Sequence, residues 1–396
     1  MHHMLARAQE LKPFAVKVRR DLHTHPELGF KEVRTARIVA NELRQSGYSV
    51  QEGVGKTGVV GILEGEKPGP CVMLRFDMDA LPVQEETGAE YASIYPGVMH
   101  ACGHDGHTAI GLTVARLLRE NMASIHGTVK LVFQPAEEGL GGAEAMVIDG
   151  VLENPKPVAA FGLHLWNERP VGWAAATDGP FMAGADMFRI TISGKGGHGA
   201  IPQEVHDPIV AGAQLVTALQ TIVARNVSPF DSAVVSVTAF NAGSSYNVIP
   251  PEVVLLGTVR SYKPRVRGRV VDRMNRLVEM VCSAMECQGE IEIVEFTPPV
   301  INQAEPAKVI ETSISEIAPE VVIDREFKSS ASEDMSIFLN AIGGCFFFLG
   351  SGPADEVKRY GHHHPKFDID EDVLPLAAAI LAHAAIIFLE KQADQI

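Results

Sequence analysis

The sequence is short of basic residues and of cysteine, and it lacks a long, uninterrupted apolar run. Lys and Arg number 34 against 49 Asp and Glu, a formal net charge of −15. That deficit argues against nucleic acid or an anionic membrane as a partner held by bulk electrostatics. The acidity is diffuse, with no acidic tail or block of like charge, so it says little more about partners. Five cysteines in 396 residues are an odd number without the spacing of a disulfide framework. Cys282 and Cys287 fall inside a helical pattern and read as core or free thiols. No apolar h-region opens the chain, so a reducing cytoplasm is the expected setting. The apolar Leu374–Leu389 stretch is short and contains His383, so no membrane span is expected. Internal repeats and low-complexity tracts are also missing.

What is present is a chain long enough for two or three domains, with ordinary hydrophobic and charged fractions. Met4–Gln51 reads as helical, with Gly47 ending the pattern and a polar turn at His23-Thr24-His25-Pro26-Glu27. Strands are expected at Thr57–Glu64, Cys71–Phe76, Gly127–Gln134, Val158–Trp166 and Cys345–Leu349, and helices at His104–Asn121, from Gly142 and at Asp370–Lys391. This alternation predicts an α/β fold, a mostly parallel central sheet between helices. After Pro180 the pattern changes. Strand Asp186–Ser193, helix Asp207–Arg225, strands Ser232–Asn241 and Glu252–Ser261, helix Arg267–Gln288 and strand Glu290–Phe296 spell β-α-β-β-α-β, the ferredoxin-like order. The expected division is a discontinuous domain of residues 1–182 and 298–396 and an inserted α+β domain of residues 183–297.

Two stretches carry the chemistry. Cys102-Gly103-His104-Asp105-Gly106-His107 offers a thiol and two imidazoles at a helix start, where the helix N-terminus favours a thiolate. Gln134-Pro135-Ala136-Glu137-Glu138-Gly139 offers adjacent carboxylates just past a strand. His164 lies near the end of another strand, and His362-His363-His364 lies in a loop after a further one. All fall at carboxyl ends of strands, where α/β sheets hold ligands. Thiolate, imidazole and carboxylate are transition-metal ligands. Taken singly, each is as compatible with a core cysteine, a satisfied histidine or a solvated helix start. Asp79 reads as the partner of a ligating histidine; Asp77 is open between ligand, partner and cap, and His107 has no assigned role.

The stretches RRDLHTHPELGF, DMDALPVQEETG, MHACGHDGHTA, VFQPAEEG, FGLHLW, GKGGHGAIP, NVIP, GTVRS, SSASEDMS and HHHPKFDIDED occur in order from residue 19 to 372. With them the chain resembles the metal-dependent amidohydrolases and peptidases that include aminoacylases, hippurate hydrolase and the auxin-conjugate hydrolases. CGHDGH with QPAEEG is similar to the branch that cleaves N-acyl amino acids. The resemblance implies two divalent metals (Zn, Mn, Co or Ni), with Cys102 bridging them and His104, Glu138, His164 and His363 completing the sites. His363 is selected by the family's His-X-Pro pattern, with His362 and His364 as alternatives. It implies Glu137 as the base that takes a proton from water and returns it to the leaving nitrogen. It further implies His198 as oxyanion stabiliser across a homodimer, and Asn247 and Arg260 as holders of the substrate's free carboxylate. The expected activity is hydrolysis of an N-acyl amino acid. A dipeptidase or carboxypeptidase of the same superfamily, or a non-catalytic metal-dependent binding protein, are the alternatives.

Overall fold

A computed structural model describes residues 2–394. Among these residues the chain separates into two compact units. The first runs to Gly179 and resumes over Ile301–Phe327 and from Asp334 onward; the second is Pro180–Val300 with Lys328–Glu333. Lys328–Glu333, expected in the discontinuous domain, groups with the second unit. The reason is local pairing: Ser329 donates its N–H to the Phe181 carbonyl at 3.1 Å and accepts from the Ala183 N–H at 3.0 Å.

The first unit is built on an eight-stranded sheet. Its spatial order is Ser49–Val54, Gly58–Glu64, His126–Gln134, Lys67–Asp77, Pro157–Pro170, Gly344–Gly352, Trp173–Ala175, Val322–Ile323. The four central strands, from His126–Gln134 to Gly344–Gly352, run parallel. The helical run expected to reach Gln51 stops at Gln45, and Ser49–Val54 is an edge strand paired antiparallel to Gly58–Glu64. Gly47, at φ +79°, turns the chain out of helix Val33–Gln45 just before it.

Buried parallel strands are covered on both faces, and adjacent residues of one strand show it. Phe161 meets Phe388 of helix Val373–Ala393, with ring centroids 5.2 Å apart. Its neighbour Gly162 faces the other way, where a Cβ would lie 3.1 Å from the Phe346 ring and 3.4 Å from Met335 of helix Met335–Ile342. On the Phe388 side, helix Val373–Ala393 packs between His104–Glu120 and Ala304–Ile317. This corrects one expectation: by length and composition Val373–Ala393 does reach what a bilayer span requires, with a mean hydropathy of 2.1. It is hydrophobic all round because 89% of its apolar window is buried among other helices and the sheet.

In the second unit a four-stranded antiparallel sheet has the order Ala233–Ala242, Glu252–Ser261, Gly184–Ser193, Gln288–Thr297. Helices Pro208–Asn226 and Pro264–Ala284 cover one face, over a core of Phe188, Ile190, Ile192, Leu215, Leu219, Val270 and Met274. Met187, between buried neighbours, points to the other face and is exposed. Asp207 caps the first of these helices, accepting from the Ile209 N–H at 2.8 Å, with Pro208 following as the sequence suggests.

Candidate metal centre

The parallel strands end side by side, and each end leads into a polar segment. Lys67–Asp77 runs into Asp79; His126–Gln134 runs into the turn bearing Glu137 and Glu138. His164 lies on Pro157–Pro170, and the loop after Gly344–Gly352 carries the three histidines. Gly103, with φ +87°, lets the chain turn from Cys102 into the helix that begins at His104.

Five of the expected ligands meet here. Ligand atoms of Cys102, His104 and His164 lie within 4.8 Å of one another, and so do those of Cys102, Glu138 and His363. The two groups share the Cys102 sulfur. His104, Glu137 and Glu138 form a third such group.

Hydrogen bonds aim the ring nitrogens. His104 Nδ1 donates to the Asp79 carbonyl at 2.9 Å, with Asp79 Oδ1 at 3.2 Å. Nε2 is therefore the nitrogen turned toward the cluster, and this buried atom has no hydrogen-bond partner among the described residues. His164 Nδ1 donates to the Leu165 carbonyl at 2.9 Å, so its Nε2 lone pair faces the Cys102 sulfur at 3.4 Å. A carbonyl can only accept, so Nδ1 carries a proton in both rings and Nε2 is the atom each ring turns toward the cluster. His363 Nε2 is 3.2 Å from Glu138 Oε1, and its backbone has φ +65° with its N–H donated to the Ala101 carbonyl at 2.7 Å. Its neighbours point elsewhere. His362 donates from Nε2 to the Leu165 carbonyl, and His364 stacks on Tyr360 and accepts from the Lys366 N–H.

The adjacent carboxylates are held separately. Glu138 donates its N–H to Asp79 Oδ2 at 3.0 Å, while Glu137 Oε1 lies 3.5 Å from the donating N–H of Asp334. Asp79 thus touches both His104 and the Glu138 backbone. Asp77 binds His107 Nδ1 at 2.5 Å and Arg75 at 2.6 Å. His107 accepts from the Leu165 N–H at 2.9 Å on its other nitrogen, which leaves it no lone pair for a metal. The residue left without a role is a bridge between Asp77 and the backbone beside His164.

Sequence reasoning missed Arg75, Gln134 and Asp334. Arg75 is fully buried and reaches Gln134 at 2.8 Å, Asp77 and Asp334. The signal was there: one arginine inside the apolar strand CVMLRF. His23, expected in a turn, ends helix Lys12–Thr24 and is buried against Asp105 at 2.7 Å.

The electrostatics ask for cations. Burial, then Glu138, Glu137 and Asp77, push the Cys102 thiol well above its usual range. The helix start alone therefore does not make a thiolate here, contrary to expectation, because burial and then the surrounding carboxylates outweigh it. Burial opposes a charge on His104, yet Asp77, Asp79 and Glu138 outweigh it and push its pKa up to about 10. Burial and the neighbouring His107 hold His164 well below its ordinary value, so it stays a neutral donor. A buried thiol, imidazole Nε2 atoms turned toward it and excess carboxylate fit divalent metal ions by donor chemistry and by charge, a bound ion taking the place of the proton that the carboxylates hold on His104.

His198, Asn247 and Arg260 belong to the second unit. His198 pairs with Val248 on a two-stranded ribbon and accepts the Ala200 N–H at 3.0 Å; the Asn247 carbonyl accepts the Gly199 N–H at 2.8 Å. Both side chains are exposed. Arg260 is half-buried on Glu252–Ser261 and donates to Thr258 and to the Val259 carbonyl.

Residues 73–386 match the family described as Peptidase family M20/M25/M40. The chain belongs to that family. It is 41% identical over 382 residues to Thermostable carboxypeptidase 1 of Saccharolobus solfataricus, covering 96% of this chain and 95% of that one. It is 38% identical over 376 residues to the N-acetylcysteine deacetylase of Bacillus subtilis, covering 95% and 97%. Among solved structures, the Bacillus subtilis protein YxeP, described as a dinuclear metal-binding peptidase, superposes with a TM-score of 0.86 at 34% identity over 96% of this chain and 99% of that chain. The protein is accordingly a hydrolase of the amidohydrolase and peptidase type.

Proposed function

We propose that the protein hydrolyses the amide bond of N-acyl amino acids, of the N-acetyl or hippurate type, releasing a carboxylic acid and a free amino acid. The observation that carries this is the pair of ligand groups sharing the Cys102 sulfur, with Glu137 beside them, grouped with His104 and Glu138 but a member of neither. Cys102, His104, His164, Glu138 and His363 would hold two divalent ions, drawn from Zn, Mn, Co or Ni. Bound there, such ions polarise the scissile carbonyl and acidify water. Glu137 receives the proton of the attacking water at one carboxylate oxygen, while the Asp334 N–H lies against Oε1. It then delivers that proton to the leaving nitrogen, which departs as the amine of the free amino acid. Asp79 orients His104 and the Glu138 backbone; His107 braces Leu165. His198 is assigned to the tetrahedral oxyanion, donated by the second copy of a homodimer, and Asn247 and Arg260 to the substrate's α-carboxylate. Five free thiols among the described residues suit a reducing cytoplasm.

The test is a panel of N-acetyl and N-benzoyl amino acids on metal-stripped protein reloaded with single metals. Hydrolysis of none, with any metal, sinks the proposal. A second reading, carboxypeptidase or dipeptidase action, draws on the likeness to the Saccharolobus carboxypeptidase. Faster turnover of free peptides than of acyl amino acids would favour it.

A further inference from the structure

The turn bearing Glu137 and Glu138 contains a strained residue. Ala136 has φ +53°, a left-handed conformation that residues with a Cβ adopt rarely. Such a backbone persists only where its surroundings over-determine it. Three contacts do so. The Ala136 N–H donates to Glu32 Oε1 at 2.9 Å. Its carbonyl accepts from the Gly142 N–H at 3.1 Å. The Gly29 backbone presses close enough that a Cβ there would sit 3.1 Å from both Cα and Cβ of Ala136.

Glu32 is the unusual member. Its side chain is completely buried, and its second oxygen accepts from the Thr57 hydroxyl at 2.5 Å. Burying a carboxylate is costly, and burial holds its pKa above the ordinary carboxylate value. A neutral side chain would satisfy a plain packing role at less cost.

We propose that Glu32 is a positioning residue that keeps Ala136 left-handed and thereby sets the direction of the Glu137 carboxylate. The inference rests on Glu137 as the proton carrier. The two working carboxylates are then aimed by two different upstream ones: Asp79 takes the Glu138 N–H and Glu32 takes the Ala136 N–H.

The experiment compares Glu32→Ala, Glu32→Gln and the double variant Glu32→Ala/Ala136→Gly as full-length, metal-loaded protein. Turnover of N-acetyl and N-benzoyl amino acids, bound metal, and amide exchange across residues 134–139 are measured. In Glu32→Ala, kcat should fall on the order of 30-fold, since a misplacement of about 1 Å can cost ~10²-fold, with KM and metal content unchanged. Exchange at Ala136 should quicken roughly tenfold as its hydrogen bond is lost. Glu32→Gln keeps an acceptor oxygen and should recover most of the rate. Ala136→Gly should restore most of it in the Glu32→Ala background, because glycine adopts φ +53° without strain. A purely structural Glu32 would not be rescued by a glycine at 136. Wild-type kcat in Glu32→Ala, a loss that neither change recovers, or a loss that tracks metal release overturns the proposal. If Glu32→Ala does not fold, Gly29→Ala presses on Ala136 from the other side, and an unchanged kcat there is equally fatal. Exchange at Ala136 is read without turnover. A wild type inert on every acyl amino acid therefore counts against the functional reading, whereas unchanged exchange in Glu32→Ala counts against this one.

Discussion

His104 and Asp105 are neighbours at one helix start, yet they face two buried charge clusters of opposite completeness. Asp105 meets cations that the chain supplies. Arg19 donates to it at 2.8 Å and His23 lies at 2.7 Å, and Arg19 also reaches Asp368 at 2.6 Å and Glu371 at 3.2 Å. His104 faces Cys102, Asp77, Asp79 and Glu138, where the same kind of burial gathers acidic groups and a thiol around imidazoles. The first cluster is closed in the sense that the chain itself brings cations to its carboxylates, and they tie Lys12–Thr24 to the helix start. The second reaches balance with divalent ions. Burial and charge therefore do not by themselves mark a site; an excess of carboxylate beside converging thiol and imidazole donors does.

That contrast can be broken at either cluster. The largest effect is expected from removing the ions: a chelator should abolish hydrolysis and lower Tm, and divalent metal should restore both, as activity and calorimetry would show. If Tm is unmoved while activity disappears, the second cluster does not depend on the ions for its balance of charge. Next is Glu137→Gln, which should lower kcat by about 10²–10⁴-fold with two ions still bound by metal analysis. Loss of metal in that variant would make Glu137 a ligand.

At the closed cluster, Arg19→Met leaves Asp105 buried without its main partner and should destabilise the fold by roughly 3–5 kcal/mol in denaturant melts. Metal stoichiometry should be unaffected in whatever fraction stays folded. The smallest effect is one of pH. Burial opposes a charged His23, but Asp105 and Glu85 outweigh it and raise its pKa. A raised folded value means His23 contributes stability in full below its unfolded pKa of about 6.5, and loses it as pH climbs through the raised value. His23→Gln should therefore flatten the decline in unfolding free energy between pH 6 and pH 9, read from denaturant melts, by an amount on the order of 1 kcal/mol. A parallel decline in variant and wild type would assign it elsewhere.

Much of the site was legible because strand ends are. A run such as KLVFQ followed by Pro135 announces both a buried strand and its end, so Glu137 and Glu138 could be placed from local pattern alone. The β-α-β-β-α-β order of the second unit was legible for a similar reason: its strands alternate, and Asp207-Pro208 marks a helix start. Val373–Ala393 was harder, since an all-round apolar helix looks alike in a bilayer and at the centre of a helical layer. His107 could not be interpreted at all. Its partners, Asp77 and the Leu165 N–H, lie 30 and 58 residues away in the chain. Arg75 announced itself as one arginine in an apolar strand, but its counterpart Asp334 is 259 residues away; Glu32 was silent, with Ala136 104 residues away.

By itself the sequence determined the donor types and the ends of the elements that carry them, because periodicity and turn residues act over a few neighbours. Tertiary structure decided which nitrogen of each histidine is free, which histidine of the triplet turns toward Glu138, and that two ligand groups share one sulfur. Those outcomes depend on hydrogen bonds and fields between residues far apart in sequence, and only the packed sheet brings such residues within reach of one another.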